Sequence, residues 1–215
     1  MKSEEIGLNG CSITVIPVVR GLESNRELIR KEMDEIEPEV IALSISPEEL
    51  EGLLHLDEID VDDFALSDYE EMYVERLRQY SRVIFPPPAY TESVLYGREK
   101  RIPLASLDIN ERNFSELYVS LVSTSELIRH SVRKKRLKKR RFNADGPEEF
   151  AILWDRAINN LSGFRKLVEK REEYMAMRIG KLSENYRKIA AVVEVERAKG
   201  VMSRLKSYET AMPEN

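Results

Sequence analysis

The residues best suited to chemistry in this chain are arginines set where strands end. The apolar run Ile13–Thr14–Val15–Ile16–Pro17–Val18–Val19 stops at Arg20–Gly21, and the run Ile189–Ala190–Ala191–Val192–Val193 passes through Glu194, Val195 and Glu196 to Arg197. Ligands of α/β folds sit at the C-terminal ends of strands, so both arginines stand where a ligand would be met. A guanidinium grips a carboxylate or phosphate through two parallel hydrogen bonds. It stays protonated and has no lone pair to give a metal ion. Arg171 and Glu172 lie on the helix before the last strand, and Asp108 closes a third apolar run, Ile102–Pro103–Leu104–Ala105–Ser106–Leu107. Two readings stay open. Either Arg20, Arg171 and Arg197 hold a small anion, or they close on Asp108, Glu172 and Glu196 as an ion-pair network that binds nothing.

The elements that must position these residues follow from periodicity and punctuation. Asn9–Gly10 predicts a tight hairpin before the first buried strand. Leu28, Ile29, Met33 and Ile36 recur at helical spacing behind Ser24, a candidate N-cap, and Pro38 stops that helix. Glu39–Ile45 reads as the next strand, and Ser46–Pro47–Glu48–Glu49 opens a helix with proline in its first turn. This is a βαβ unit, whose strands run parallel. A weakly patterned acidic stretch from Leu56 to Asp68 leads into a helix, Tyr69 to Tyr80, and Pro86–Pro87–Pro88 precedes another near Tyr90–Arg98. Asn110 to Lys139 reads as largely helical, and a long helix follows Gly146–Pro147 with Phe150, Leu153, Trp154, Ala157, Leu161, Phe164 and Val168 on one face and Gly163 and Gly180 as candidate interruptions. The expected fold is α/β with an α+β tendency: one domain over 1–215, a small, mainly parallel sheet, and mostly helical insertions at 56–100 and 110–187.

Composition narrows the function classes. The chain has 215 residues, 42% hydrophobic and 34% charged, with a net charge of −5, which suits a globular protein with a sizeable core. No apolar run approaches the roughly 18 residues of a membrane span, and the N-terminus lacks a signal-peptide core, so a cytoplasmic protein is expected. One cysteine, Cys11, leaves no pair for a disulfide and reads as a small core residue. His55 and His130 share no ligand spacing and read as surface residues; Trp154, Met175 and Met177 read as packing residues. There is no glycine-rich phosphate loop, and no cofactor or metal is expected.

The charge is unevenly distributed. Sixteen Asp or Glu and no Lys or Arg lie between Asp34 and Glu75, whereas nine of the thirteen residues from Arg129 to Arg141 are Lys or Arg. The two segments could face each other within one chain or across a homodimer. The basic run could alternatively touch nucleic acid or an anionic membrane surface, or be a solvated helix end.

The landmarks together resemble the TraB/PrgY family and its Tiki, ChaN and erythromycin-esterase-like superfamily. Glu37–Pro38–Glu39–Val40–Ile41–Ala42–Leu43–Ser44 is similar to that family's E-x-P-D-V-V-A-V-E element. Arg171–Glu172–Glu173–Tyr174–Met175–Ala176 resembles its R-D-x-Y-M-A, and Ala191–Gly200 stands where V-V-G-A-G-H-V-x-G stands. The resemblance implies that Arg20, Arg171, Arg197, Asp108, Glu172 and Glu196 converge on one pocket. There are departures as well: Arg20 and Arg197 replace histidines, Ser44 a glutamate, and Glu194 and Glu196 glycines. Those histidine and glutamate positions would hold a metal in peptidase members, and arginine cannot do so. The sequence is therefore read as a TraB-like binding, regulatory or structural protein with an arginine-lined anion site, rather than an enzyme. The alternatives are a metal-free hydrolase working through carboxylates and arginines, and a nucleic-acid or membrane-surface adaptor acting through 129–141.

Overall fold

A computed structural model describes residues 2–55 and 66–211; the greater part of the acidic stretch from Leu56 to Asp68 thus lies outside the described residues. The first hairpin joins β1 (Glu4–Leu8) to β2 (Cys11–Val18) through Asn9 and Gly10, both at positive φ, as a tight primed turn requires. Then follow α1 (Asn25–Ile36), β3 (Val40–Leu43), α2 (Pro47–Leu54), α3 (Asp68–Leu77), α4 (Pro88–Lys100) and β4 (Leu104–Ser106). The second half runs α5 (Glu111–Leu121), α6 (Thr124–Leu137), α7 (Pro147–Ile158), α8 (Ser162–Ser183), β5 (Lys188–Glu194) and α9 (Val195–Ala211).

The fold is α/β. Among the described residues the sheet is ordered β1-β2-β5-β3-β4, with only β1 antiparallel to its neighbour. The expected βαβ unit places β2 and β3 parallel, but the last strand, β5, lies between them. Alternate residues feed two cores, because successive strand side chains point to opposite faces. Ile13, Val15, Val40, Ala42, Ile189, Ala191 and Val193 pack against Met175 and Ile179 of α8 and Val201 and Leu205 of α9. Ile16, Val18, Ile41, Leu43, Ala190 and Val192 pack against Ile29 and Met33 of α1, Leu50 of α2 and Tyr90 and Val94 of α4. Burial on both faces explains why these strands read as unbroken apolar runs.

A third core lies beyond the C-terminal strand ends. There Val19, Leu22 and Val195 meet Val74 and Leu77 of α3 and Phe150, Trp154 and Ile158 of α7. Two expected long helices are each divided. At 122–123 the chain turns because Val122 is buried in an extended conformation and Ser123 begins a new helix through a capping box with Glu126. The helix after Gly146 breaks at 159–161, where the Asn159 side chain bonds back to Asp155; Gly180 leaves α8 intact. Ser24 stands at the N-cap of α1 but makes no capping bond; instead the buried Asn25 amide donates to the Val19 carbonyl at 2.7 Å, tying α1 to the end of β2.

Gly21 sets the turn that releases Arg20 from β2. Its φ is +87°, and a Cβ there would stand 2.9 Å from both Val83 and Phe85. Left-handed strain and overpacking each cost about 1–3 kcal/mol, so Gly21→Ala is expected to lower stability by about 2–6 kcal/mol. Gly52, inside α2 with nothing within 4 Å of where a Cβ would stand, is the control: Gly52→Ala should gain up to about 1 kcal/mol of helix propensity. Urea unfolding of both variants measures the contrast, and equal midpoints would show that Gly21 is not required.

Candidate functional site

The C-terminal edge of the parallel strands faces a cavity of about 390 Å³. Arg20 arrives from the end of β2, Glu194 from the end of β5, Glu196 and Arg197 from the first turn of α9, and Arg171 from α8; all five line it. Its walls are aromatic: Tyr69 and Tyr73 of α3, Phe114 and Tyr118 of α5, Trp154 of α7 and Phe164 of α8. The Trp154 indole N–H donates to the Tyr69 hydroxyl at 2.8 Å, and the Tyr73 ring lies 5.8 Å from that of Trp154. Burial raises the Tyr69 and Tyr73 hydroxyl pKa values above the ordinary range, so both remain phenols at neutral pH.

Each arginine has a carboxylate of its own. Arg171 closes completely on Asp108, with Nε 3.0 and 3.2 Å from the two carboxylate oxygens and Nη2 in close contact as well. Asp108 is held by the Ile109 N–H at 2.8 Å. Arg197, only 4% exposed, forks onto Asp155 of α7 through Nη1 at 3.0 Å and a shorter Nη2 contact. Arg20 reaches Glu49 at 2.9 Å and Glu194 at 3.5 Å. Glu49 is itself fixed, because its other oxygen accepts the Ser46 N–H in the capping box of α2. Ser44 ties the strand ends together: its hydroxyl accepts the Glu194 N–H at 3.1 Å and lies 3.0 Å from the Tyr90 hydroxyl.

Three arginines thus meet four carboxylates, Glu49, Asp108, Asp155 and Glu194, before Glu196 is counted. Each of these arginines is already engaged, so an ionised Glu196 would share a cation with another carboxylate. Burial first, and then the neighbouring Glu194 charge, push its carboxyl up to about 8. Three polar atoms of residues that line the cavity are themselves buried and have no hydrogen-bond partner among the described residues: Arg20 Nε, Arg197 Nε and Glu196 Oε2. Such orphans are uncommon in folded proteins. They are two donors and one carboxyl oxygen.

Of the residues expected to converge, Arg20, Arg171, Arg197 and Glu196 line this cavity; Asp108 stands behind Arg171. Glu172 lines not this cavity but a second one, together with Asp155, Glu196 and Arg197. It faces α9 and pairs with Arg204 at 2.8 Å, because Gly200 leaves room for its carboxylate: a Cβ there would stand 2.1 Å from Oε2. Sequence reading does not single out Glu49 and Asp155 as arginine partners. Glu49 is detectable as the capping-box glutamate directly after a strand end, whereas Asp155 carries no signal beyond a polar residue beside Trp154. His130 is not the surface residue expected; its ring stacks on Phe164 at 4.0 Å, and burial lowers its pKa to about 4, leaving it neutral. Among the described residues no group of three or more His, Cys, Asp or Glu is placed to hold a metal ion, and no helix is long and apolar enough to cross a membrane. Comparison with protein-family models and with curated proteins finds no match for this chain.

The raised Glu196 carboxyl has a signed consequence. Its folded pKa, about 8, lies above the ordinary 4.5, so the folded chain holds this proton more tightly than the unfolded one. Its contribution to stability is greatest below about pH 4.5, falls as pH rises toward about 8, and is then flat. The limiting slope is about 1.4 kcal/mol per pH unit. Glu196→Gln should remove this decline, making the variant more stable than the parent at pH 8 but not at pH 5. Denaturant unfolding across that range checks it; parallel curves for the two proteins would mean that Glu196 is ionised throughout.

Proposed function

We propose that this chain is a TraB-like binding protein whose strand-end pocket has been remodelled to hold a small acid with an aromatic or apolar body. One observation carries this reading: Arg20, Arg197 and Glu196, each with a buried polar atom that has no partner among the described residues, together line a cavity walled by aromatic rings. A carboxylate, or one face of a phosphate, supplies acceptors to both arginine donors, and a protonated Glu196 adds a third donor. The four carboxylates already outnumber the three arginines, so a singly charged head suits the site better than a multiply charged one. The rings supply contact area for the rest of the molecule. The order of the strand, helix and R-E-x-Y-M-A-like elements supports the family reading, and a cytoplasmic location belongs to the same proposal.

A second reading, a metal-free hydrolase, is favoured by the proton affinity of Glu196, since a carboxyl poised near neutrality is suited to general acid–base work. Turnover of a chromogenic ester that is lost in Glu196→Gln, with ligand binding kept, would select it.

Titration calorimetry with indole-3-acetate, phenylacetate, acetate and inorganic phosphate tests binding directly. The aromatic acids are expected to bind one per chain and more tightly than acetate or phosphate. Arg20→Gln should weaken them by about tenfold or more, since a hydrogen bond to a charged group contributes about 1.5–3 kcal/mol. Absence of binding by all four, or affinities unchanged in Arg20→Gln, would overturn the assignment.

A further inference from the structure

Helix α6 carries most of the basic run, and the fold divides that run into two populations. Arg133 and Lys134 turn inward: Arg133 donates to the Ala157 carbonyl at 3.2 Å, and the Lys134 ammonium lies 4.9 Å from the Tyr69 ring centroid at the cavity wall. Arg129, Lys135, Arg136, Lys138, Lys139, Arg140 and Arg141 are exposed. Within α6 only Leu137 is buried, and α5 buries no residue at all. The outer surface nevertheless carries aliphatic side chains: Ile128 is 64% exposed and Val132, one turn on, 44%; Leu127 and, on α5, Val119 are exposed as well.

We infer that the outer face of α6 docks on an anionic lipid surface. Ile128 and Val132 form a short apolar ridge, with Arg129 and Arg136 on one flank and Lys135 continuing its line. A helix of this kind lies in the headgroup plane, its apolar side chains entering the acyl boundary while the cations meet lipid phosphates and carboxylates. Two other occupants fit less well. Nucleic-acid grooves present phosphates and base edges, and binders of single strands offer aromatic rings for stacking; the centre of this face is aliphatic, and the nearby ring of His130 is turned inward onto Phe164. A second copy meeting this face through its own would bring two uninterrupted cationic runs together, a like-charge juxtaposition that opposes association.

The full chain can be sedimented with vesicles of phosphatidylcholine alone and of phosphatidylcholine mixed with phosphatidylserine. It is expected to sediment with the mixed vesicles only, and to be released as salt rises from about 0.01 M to about 1 M, over which the Debye length falls from about 30 to 3 Å. Each cation near an anionic surface contributes about fivefold, so Lys135→Glu/Arg136→Glu/Lys139→Glu should cut partitioning by at least about 100-fold. Ile128→Ser/Val132→Ser should cut it while leaving the charge unchanged; both sets lie outside the core, and circular dichroism checks that the fold is kept. The inference is overturned if mixed vesicles leave the chain in solution at low salt, or if the charge-reversed variant sediments as well as the parent. Preferential binding of duplex or single-stranded nucleic acid, or a salt-sensitive dimer in place of vesicle binding, overturns it equally.

Discussion

The architecture above the sheet depends on how one buried charge is compensated. No loop separates β5 from α9, so Arg197 falls in the first turn of a helix, where the macrodipole favours anions and disfavours cations. That effect is small, about 0.3–1 kcal/mol at an exposed site. Burial is the larger problem, and the Asp155 fork answers it. Removing one member of such a pair costs about 3–5 kcal/mol, because the other is left charged and dry. Asp155 belongs to α7, which also brings Phe150 and Trp154 to the third core. The ion pair therefore fixes the aromatic cap over the strand ends. At Glu196, one residue earlier, the same balance runs the other way: the helix terminus favours the ionised carboxylate, yet burial and Glu194 outweigh it and the group keeps its proton.

The choice between a ligand site and a closed network does not have one answer for all three arginines. Arg171 is closed: its Nε and Nη2 both engage Asp108, and the pair joins α8 to the segment after β4. Arg20 and Arg197 are engaged only through their terminal nitrogens, and each keeps a buried Nε without a partner among the described residues. An unmet buried donor costs about 1–3 kcal/mol, so a ligand that reaches both as these side chains shift recovers part of that cost. This difference, rather than the number of arginines, separates the residues that build the pocket from those that would read its occupant.

Much of this is legible in the chain. Doubly buried strands announce themselves as apolar runs, the Asn9–Gly10 pair marks the hairpin, and the arginines beyond the ends of β2 and β5 stand out because polar residues there have no core to serve. What stays hidden depends on pairing across distance. The insertion of β5 between β2 and β3 leaves no trace in local pattern, and Asp155 becomes a partner only once α7 is laid over the sheet. Glu172 illustrates the converse. Its neighbour Arg171 faces the cavity, but one residue is about 100° around a helix, and that rotation aims Glu172 at the space left by Gly200. The two helix breaks escape a periodicity argument because the helical spacing of apolar residues resumes after each with little change of phase; the capping residues Ser123 and Asn159 hold the information.

Helix α6 joins the two halves of the molecule's chemistry. Its inner residues His130 and Lys134 belong to the cavity wall, while its outer residues carry a concentrated positive charge that no acidic residue interrupts from Arg129 to Arg141. Local helix energetics do not account for that charge. Cations in the last turn are favoured by the dipole, which covers Lys134, Lys135 and Arg136, but Arg129 and Arg133 stand four apart as a like-charged pair, an arrangement that weakens a helix by a few tenths of a kcal/mol. The run also continues past the helix end from Lys138 to Arg141, where no dipole acts. A sequence selected only for a stable helix would mix signs along such a face. An anionic surface outside the chain would supply the opposite charge that this face does not meet among the described residues, on the back of the same helix that walls the pocket.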